Sequence, residues 1–251
     1  EHGVGFVLES VTWRANADWG HKLGYSATAL SEANRRAIEL LEPIRDERET
    51  PRTPMVISGC VGPRGDGYVP GVRMSSQEAA DYHRPQVEVF AETAADMVSA
   101  MTMNQVEEAA GIAIAARAAG LPSAIAFTVE TDGRLPSGQP LNEAVEQVDA
   151  ETGAAPAYDM INCAHPSHFA DALEPGAPWL RRLRGLRANA SALSHAELDE
   201  ATELDAGDPA DLARRYRELM ERLPQLRVLG GCCGTDHRHV AAIAKACCGV
   251  G

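Results

Sequence analysis

The chain has 251 residues, 45% hydrophobic and 24% charged, with 36 acidic against 23 basic side chains and a formal charge of -13. That length buries one large core, so residues 1–251 are expected to form a single domain, and the acidic balance excludes nucleic acid and anionic membrane surfaces as partners. There is no apolar run of about 20 residues and no visible signal peptide, and the six cysteines are too few for a disulfide scaffold, which predicts reduced thiols in the cytoplasm.

Short apolar runs alternate with longer amphipathic or alanine-rich runs, the pattern of βα units around a parallel sheet. Glu1-His2-Gly3 reads as the last turn of a helix, and a strand follows at 5–10. The next strand is expected at 55–60, and Ser75 with Glu78 forms a capping box that opens a helix running through Val87 and Phe90. A strand at 96–101 leads to a helix from Asn104 to Ala119, closed by Gly120. After a strand at 123–129, Thr131 to Pro140 reads as a long surface loop. Further strands are expected at 158–163 and 183–188, and Asp208-Pro209 supplies an N-cap with proline at the first helical position. The last strand, 227–231, runs into Gly230-Gly231-Cys232-Cys233-Gly234-Thr235.

That hexapeptide is the most informative stretch. Glycine lets backbone approach a ligand closely, and two adjacent thiols at a strand end both reach one soft cation more easily than each other. Cys163, after Tyr158-Asp159-Met160-Ile161-Asn162, ends another apolar run. Three thiolates on strand ends, with no fourth protein ligand, form the pattern of a zinc site with an open position. Cys163, His165 and His168 form an alternative local ligand set, although their spacing is not that of a zinc finger. His237 and His239 fall on the first turn of a helix, one of them placed at the pocket rim, whereas His21, His83 and His195 read as surface residues. Cys60, Cys247 and Cys248 read as structural.

Gly230 to Thr235 with Asn162-Cys163, Val61-Gly62-Pro63-Arg64-Gly65, and Thr12-Trp13-Arg14-Ala15-Asn16 together resemble the motifs of the zinc-dependent homocysteine S-methyltransferases. This family includes the betaine- and S-methylmethionine-dependent enzymes and the homocysteine module of cobalamin-dependent methionine synthase. The resemblance implies an α/β fold, a (β/α)8 TIM barrel. Only seven strands are countable, and nothing corresponds to the family's opening Asp-Gly-Gly strand, so the chain is expected to lack the first strand and helix, which leaves a non-catalytic zinc-binding barrel fragment as an alternative to an enzyme. It further implies Zn2+ on Cys163, Cys232 and Cys233, and substrate contacts from Thr12, Asn16, Thr102, Asn162, Gly230 and Gly231. The implied partners are a small thiol acceptor, homocysteine giving methionine, and a small sulfonium or quaternary ammonium methyl donor. No cobalamin-binding segment is present.

Two departures from the family pattern matter. Met101 stands where the family has the glutamate expected to bind the amino group of homocysteine, while Thr102 is retained. A thioether cannot pair with an ammonium group, which leaves Glu9 as a substitute or a different thiol as the acceptor. Arg187-Ala188-Asn189 replaces a Tyr-Pro-Asn segment.

Overall fold

The computed structural model describes residues 3–248. Glu1 and His2, the start of the expected helical turn, lie outside them, and 3–5 are not helical. The chain divides into two compact units, one of 3–125 with 147–157 and one of 126–146 with 158–248.

The first unit opens with β1 (Phe6–Glu9), followed by α1 (Ala17–Lys22), α2 (Ala27–Glu39), α3 (Glu42–Arg48) and β2 (Met55–Val61). It continues with α4 (Ser76–Ala91), β3 (Met97–Met103), α5 (Val106–Ala118) and β4 (Ser123–Phe127), whose last two residues belong to the second unit, whereas α6 (Leu141–Thr152) begins in the second unit and ends in the first. β1 pairs with β2 and β2 with β3, both in parallel. β3 is buried along its whole length, and Ile57, Val61, Val98, Val87 and Phe90 are fully buried. The capping box of Ser75 and Glu78 opens α4 as expected. Gly111 sets the spacing of α5 against α4: a Cβ there would lie 2.5 Å from Ala79 Cβ. α5 starts after Asn104, whose side chain instead donates to Asp66 O at 2.9 Å.

The second unit contains β5 (Tyr158–Asn162), α7 (Pro166–Phe169), β6 (Leu183–Ala188), α8 (His195–Glu200), α9 (Pro209–Arg222), β7 (Val228–Gly231) and α10 (His237–Cys247). β5 pairs with β6 and β6 with β7, again in parallel. α9 buries Leu212, Tyr216 and Leu219, a spacing of four and three that puts them on one face. Tyr216 joins two strands directly: its hydroxyl donates to Gly230 O and accepts from Ala188 N, each at 2.7 Å. The expected 131–140 surface loop is more tightly built than its composition implies. Arg134 and Pro140 form a bridge and Leu135 is buried, because an apolar side chain in the turn packs inward.

Strand order follows chain order within each unit, β1-β2-β3 in the first and β5-β6-β7 in the second. Among the described residues, seven strands alternating with helices make a mixed α/β fold of the barrel class. Among the described residues no helix is long and apolar enough to cross a membrane.

Candidate metal centre

β5 ends at Asn162, β7 at Gly231, and both strands flank β6. Parallel neighbours place their C-terminal ends on one edge, so Cys163 and the Cys232-Cys233 turn meet there. Their three sulfurs lie within 4.8 Å of one another. Cys163 is buried, Cys232 half-buried and Cys233 exposed, which leaves one side of the cluster open.

Zinc bound to cysteines at about 2.3 Å in a tetrahedron separates its sulfurs by about 3.8 Å. Cys163 Sγ and Cys233 Sγ are 4.0 Å apart, so that pair fits without rearrangement. The sulfurs of Cys163 and Cys232 are in direct contact. The two strand ends bring these Cα atoms to 5.5 Å, within the range a disulfide spans. As thiolates the three cysteines are soft donors that leave one position open, the set that suits zinc.

The backbone around the sulfurs is held by side chains. Cys163 has φ +53°, in the left-handed region that costs a non-glycine residue about 1–3 kcal/mol. Its N–H donates to Arg187 O at 3.0 Å. Its carbonyl accepts from His195 Nε2 at 2.6 Å, Asn189 Nδ2 at 3.0 Å and Thr128 Oγ1 at 3.4 Å. Asn189 also accepts from Cys233 N at 3.1 Å, so one amide ties the Cys163 peptide to the Cys-Cys turn. Cys232 N donates to Ala188 O at 2.9 Å, and Thr235 Oγ1 closes the turn on Cys232 O at 2.6 Å. Gly231 is required here, since a Cβ would lie 2.2 Å from Thr235 Oγ1. Gly230 sits against Arg187, whose guanidinium is pushed down by burial.

The histidines divide differently from expectation. His165 caps α7, its Nδ1 accepting from Ser167 N at 3.3 Å. Burial, then Arg215, lowers it to about 4. His168 Nε2 donates to Ala192 O at 2.9 Å. His239 is fully buried, bonding Asp236 N at 3.1 Å and Ala206 O at 2.8 Å, so it braces α10 rather than standing at a rim. His83 is also buried, its Nε2 2.8 Å from Glu108 Oε1, because it falls on the face of α4 that carries Ala80 and Val87. His195 is no surface residue: its side chain is 9% exposed and reaches the carbonyl of a metal-ligand candidate. Ser194-His195-Ala196-Glu197, a second capping box, was the available signal for its placement.

Cys60 is buried on β2, which pushes its thiol up to about 12. Burial raises Cys247 to about 11. Neither joins the sulfur cluster.

The other expected site residues are Thr12, Asn16 and Thr102 in the first unit and Asn162 in the second, all buried. Thr12 Oγ1 donates to Cys60 O at 2.7 Å, and Asn16 caps α1 while its Nδ2 donates to Pro63 O at 3.3 Å. Thr102 shares with Cys163 the rare left-handed backbone, at φ +64°. Met101 is buried on β3, and its carbonyl accepts from Trp13 Nε1 at 3.0 Å.

A family model described as homocysteine S-methyltransferase matches residues 4–247. The chain is 27% identical to a homocysteine S-methyltransferase of Escherichia coli (strain K12), over 88% of this chain and 74% of that protein. It is 23% identical to homocysteine S-methyltransferase 4 of Zea mays, over 96% of this chain and 75% of that one. Among solved structures, the metallated form of the homocysteine methyltransferase MmuM from Escherichia coli superposes with a TM-score of 0.72. It is 19% identical and covers 95% of this chain and 78% of its own. The oxidized form of MmuM superposes equally well, at 0.72, over 77% of that chain.

Proposed function

The chain belongs to the homocysteine S-methyltransferase family, and from that membership we propose that it is a zinc-dependent S-methyltransferase of the cytoplasm. It moves a methyl group from a small sulfonium or quaternary ammonium donor to a thiol, homocysteine giving methionine. The convergence of Cys163, Cys232 and Cys233 at the ends of β5 and β7 carries this reading.

In the transfer, the acceptor sulfur uses a lone pair to form a bond to the methyl carbon. The bond between that carbon and the donor's cationic sulfur or nitrogen breaks, and its electron pair leaves with the donor as a neutral thioether or amine. Cys163, Cys232 and Cys233 would hold the zinc, which when bound would supply the Lewis acidity to keep the acceptor ionised near neutral pH, below the free thiol pKa of about 8.5. The protein's part is to hold its sulfurs fixed and one side open, so the acceptor is positioned rather than captured at random. Asn189 does this by tying the Cys163 peptide to Cys233. Thr12, Asn16, Thr102, Asn162, Gly230 and Gly231 are assigned to substrate contacts by their place in the family motifs. A second reading, the same transfer to a thiol lacking the amino group, is favoured by Met101 on β3.

Reduced protein should hold about one zinc per chain and methylate homocysteine from S-methylmethionine or betaine. Single changes Cys163→Ala, Cys232→Ala and Cys233→Ala should each remove most of the metal and the activity. Unchanged zinc content in Cys163→Ala and Cys232→Ala would overturn the assignment.

A further inference from the structure

Cys163 has a backbone conformation that a non-glycine residue holds only under constraint. Two of the three donors on its carbonyl, Asn189 and Thr128, lie beside β6 and β4 and belong to the sheet edge. The third and shortest, His195 at 2.6 Å, comes from α8. α8 has six residues and buries none of them as a whole, yet the His195 side chain is 9% exposed. The imidazole is thus the part of α8 that enters the protein. A carbonyl only accepts, so Nε2 carries the proton of this bond. On the opposite edge of the ring, Nδ1 lies 3.1 Å from Glu130 Oε1 in the segment after β4. Two acceptors form no bond, so a proton lies between Nδ1 and Glu130 Oε1, and a ring held at both nitrogens cannot rotate about its own axis without breaking one bond.

We propose that His195, held by Glu130, is a positioning residue for the metal centre: it locks the Cys163 carbonyl and thereby aims the Cys163 sulfur. The chain of contacts runs Glu130 to imidazole to carbonyl to the Cα that bears Sγ. It is a carboxylate–histidine device applied to the backbone of a cysteine ligand rather than to a histidine ligand, and it works through orientation, as outer contacts to metal ligands do. Neither residue touches substrate or metal in this role. The metal measurement rests on the zinc reading above, and a second measurement does not.

The test uses the full chain, reduced, with Zn2+ and Co2+ as probes. His195→Ala should weaken zinc, measured by chelator competition, by about 10- to 100-fold, and should shift the cobalt ligand-field bands. His195→Gln, which places an amide N–H where Nε2 donates, should recover most of both. Glu130→Gln should fall between them. In the metal-free reduced chain, Cys163 should be alkylated faster in His195→Ala than in the parent, with Cys247 unchanged as the internal reference. If His195→Ala binds zinc as tightly as the parent, gives a superimposable cobalt spectrum and leaves Cys163 alkylation unchanged, the proposal fails. If the parent binds no metal, the zinc reading fails, and the alkylation rates alone decide the role of His195. Should His195→Ala not fold, a His195→Gln variant with parental binding and alkylation supports the proposal. One that loses both despite keeping the donor overturns it.

Discussion

Each unit carries a glutamate–histidine pair that fixes the backbone of a motif loop, and the two pairs use opposite partners to do it. In the first, Glu108 Oε1 accepts from Arg64 N of the Gly-Pro-Arg-Gly loop at 2.7 Å while His83 Nε2 holds the same oxygen at 2.8 Å. In the second, His195 donates to the Cys163 carbonyl and Glu130 steadies the ring. The carboxylate meets the backbone in one, the imidazole in the other. Burial separates them further: the His83 and Glu108 side chains are 0% and 7% exposed, those of His195 and Glu130 9% and 36%. A pair sunk between α4 and α5 is framework, and removing it is expensive everywhere. A pair at the edge of the sulfur cluster costs little to the fold and acts on what the cluster binds.

The sharpest break of this comparison is Glu108→Ala against Glu130→Ala. The first leaves the buried His83 Nε2 and the Arg64 backbone N–H without their acceptor, and should destabilise by about 1–3 kcal/mol. The second removes a partly solvated partner and should cost about 0–1 kcal/mol. Denaturant titration of both variants measures the gap. Equal losses would mean that the second pair is framework too.

Met101→Glu tests which thiol is the acceptor in the proposed function. If the position holds the amine-binding role the family pattern gives it, the restored charged contact should favour homocysteine over a thiol lacking the amino group. The gain should be about 1.5–3 kcal/mol, roughly 10- to 150-fold in relative kcat/KM. Met101 is buried at 5% exposure, so the variant's stability must be measured alongside. A folded variant with no shift in preference would show that another group holds the amine.

How much of this was legible in the sequence depends on whether the signal is local. The strands ending in Asn162 and Gly231 follow from apolar runs closed by a cysteine or glycines, and the convergence of Cys163 with Cys232 and Cys233 follows from placing those strands in one parallel sheet. The Ser75–Glu78 box is a local pattern and was readable. His83 was readable in principle. Ala80, His83, Val87 and Phe90 repeat at helical spacing and share the buried face of α4, but the residue type argued for solvent. His195 and Asn189 were not readable as parts of the centre. Their hydrogen bonds reach Cys163 across 32 and 26 residues of chain, and no periodicity encodes such contacts. The Cys163–Cys232 contact is of the same kind, set by two strand ends 69 residues apart.

The smallest effects test the helices that carry the two histidines. α4 and α8 both open with a capping box, Ser75 with Glu78 and Ser194 with Glu197. Hydrogen bonds from the Ser75 backbone and hydroxyl hold the Glu78 carboxyl below its ordinary range, and the Ser194 hydroxyl and backbone do the same for Glu197. A carboxyl held low when folded contributes stability that is present above its unfolded pKa, about 4.3, and is lost as pH falls through the lower folded value. Both caps therefore weaken only in acid. At neutral pH, Ser75→Ala should cost about 1 kcal/mol of stability, because α4 has 16 residues and a buried face to lose. α8 buries no whole residue, so Ser194→Ala should leave the denaturation midpoint nearly unchanged. Its loss should surface instead as faster alkylation of Cys163, since the cap fixes the first turn from which His195 reaches the carbonyl. A drop in global stability equal to that of Ser75→Ala, with Cys163 no more reactive, would place α8 among the framework helices and detach it from the sulfur cluster.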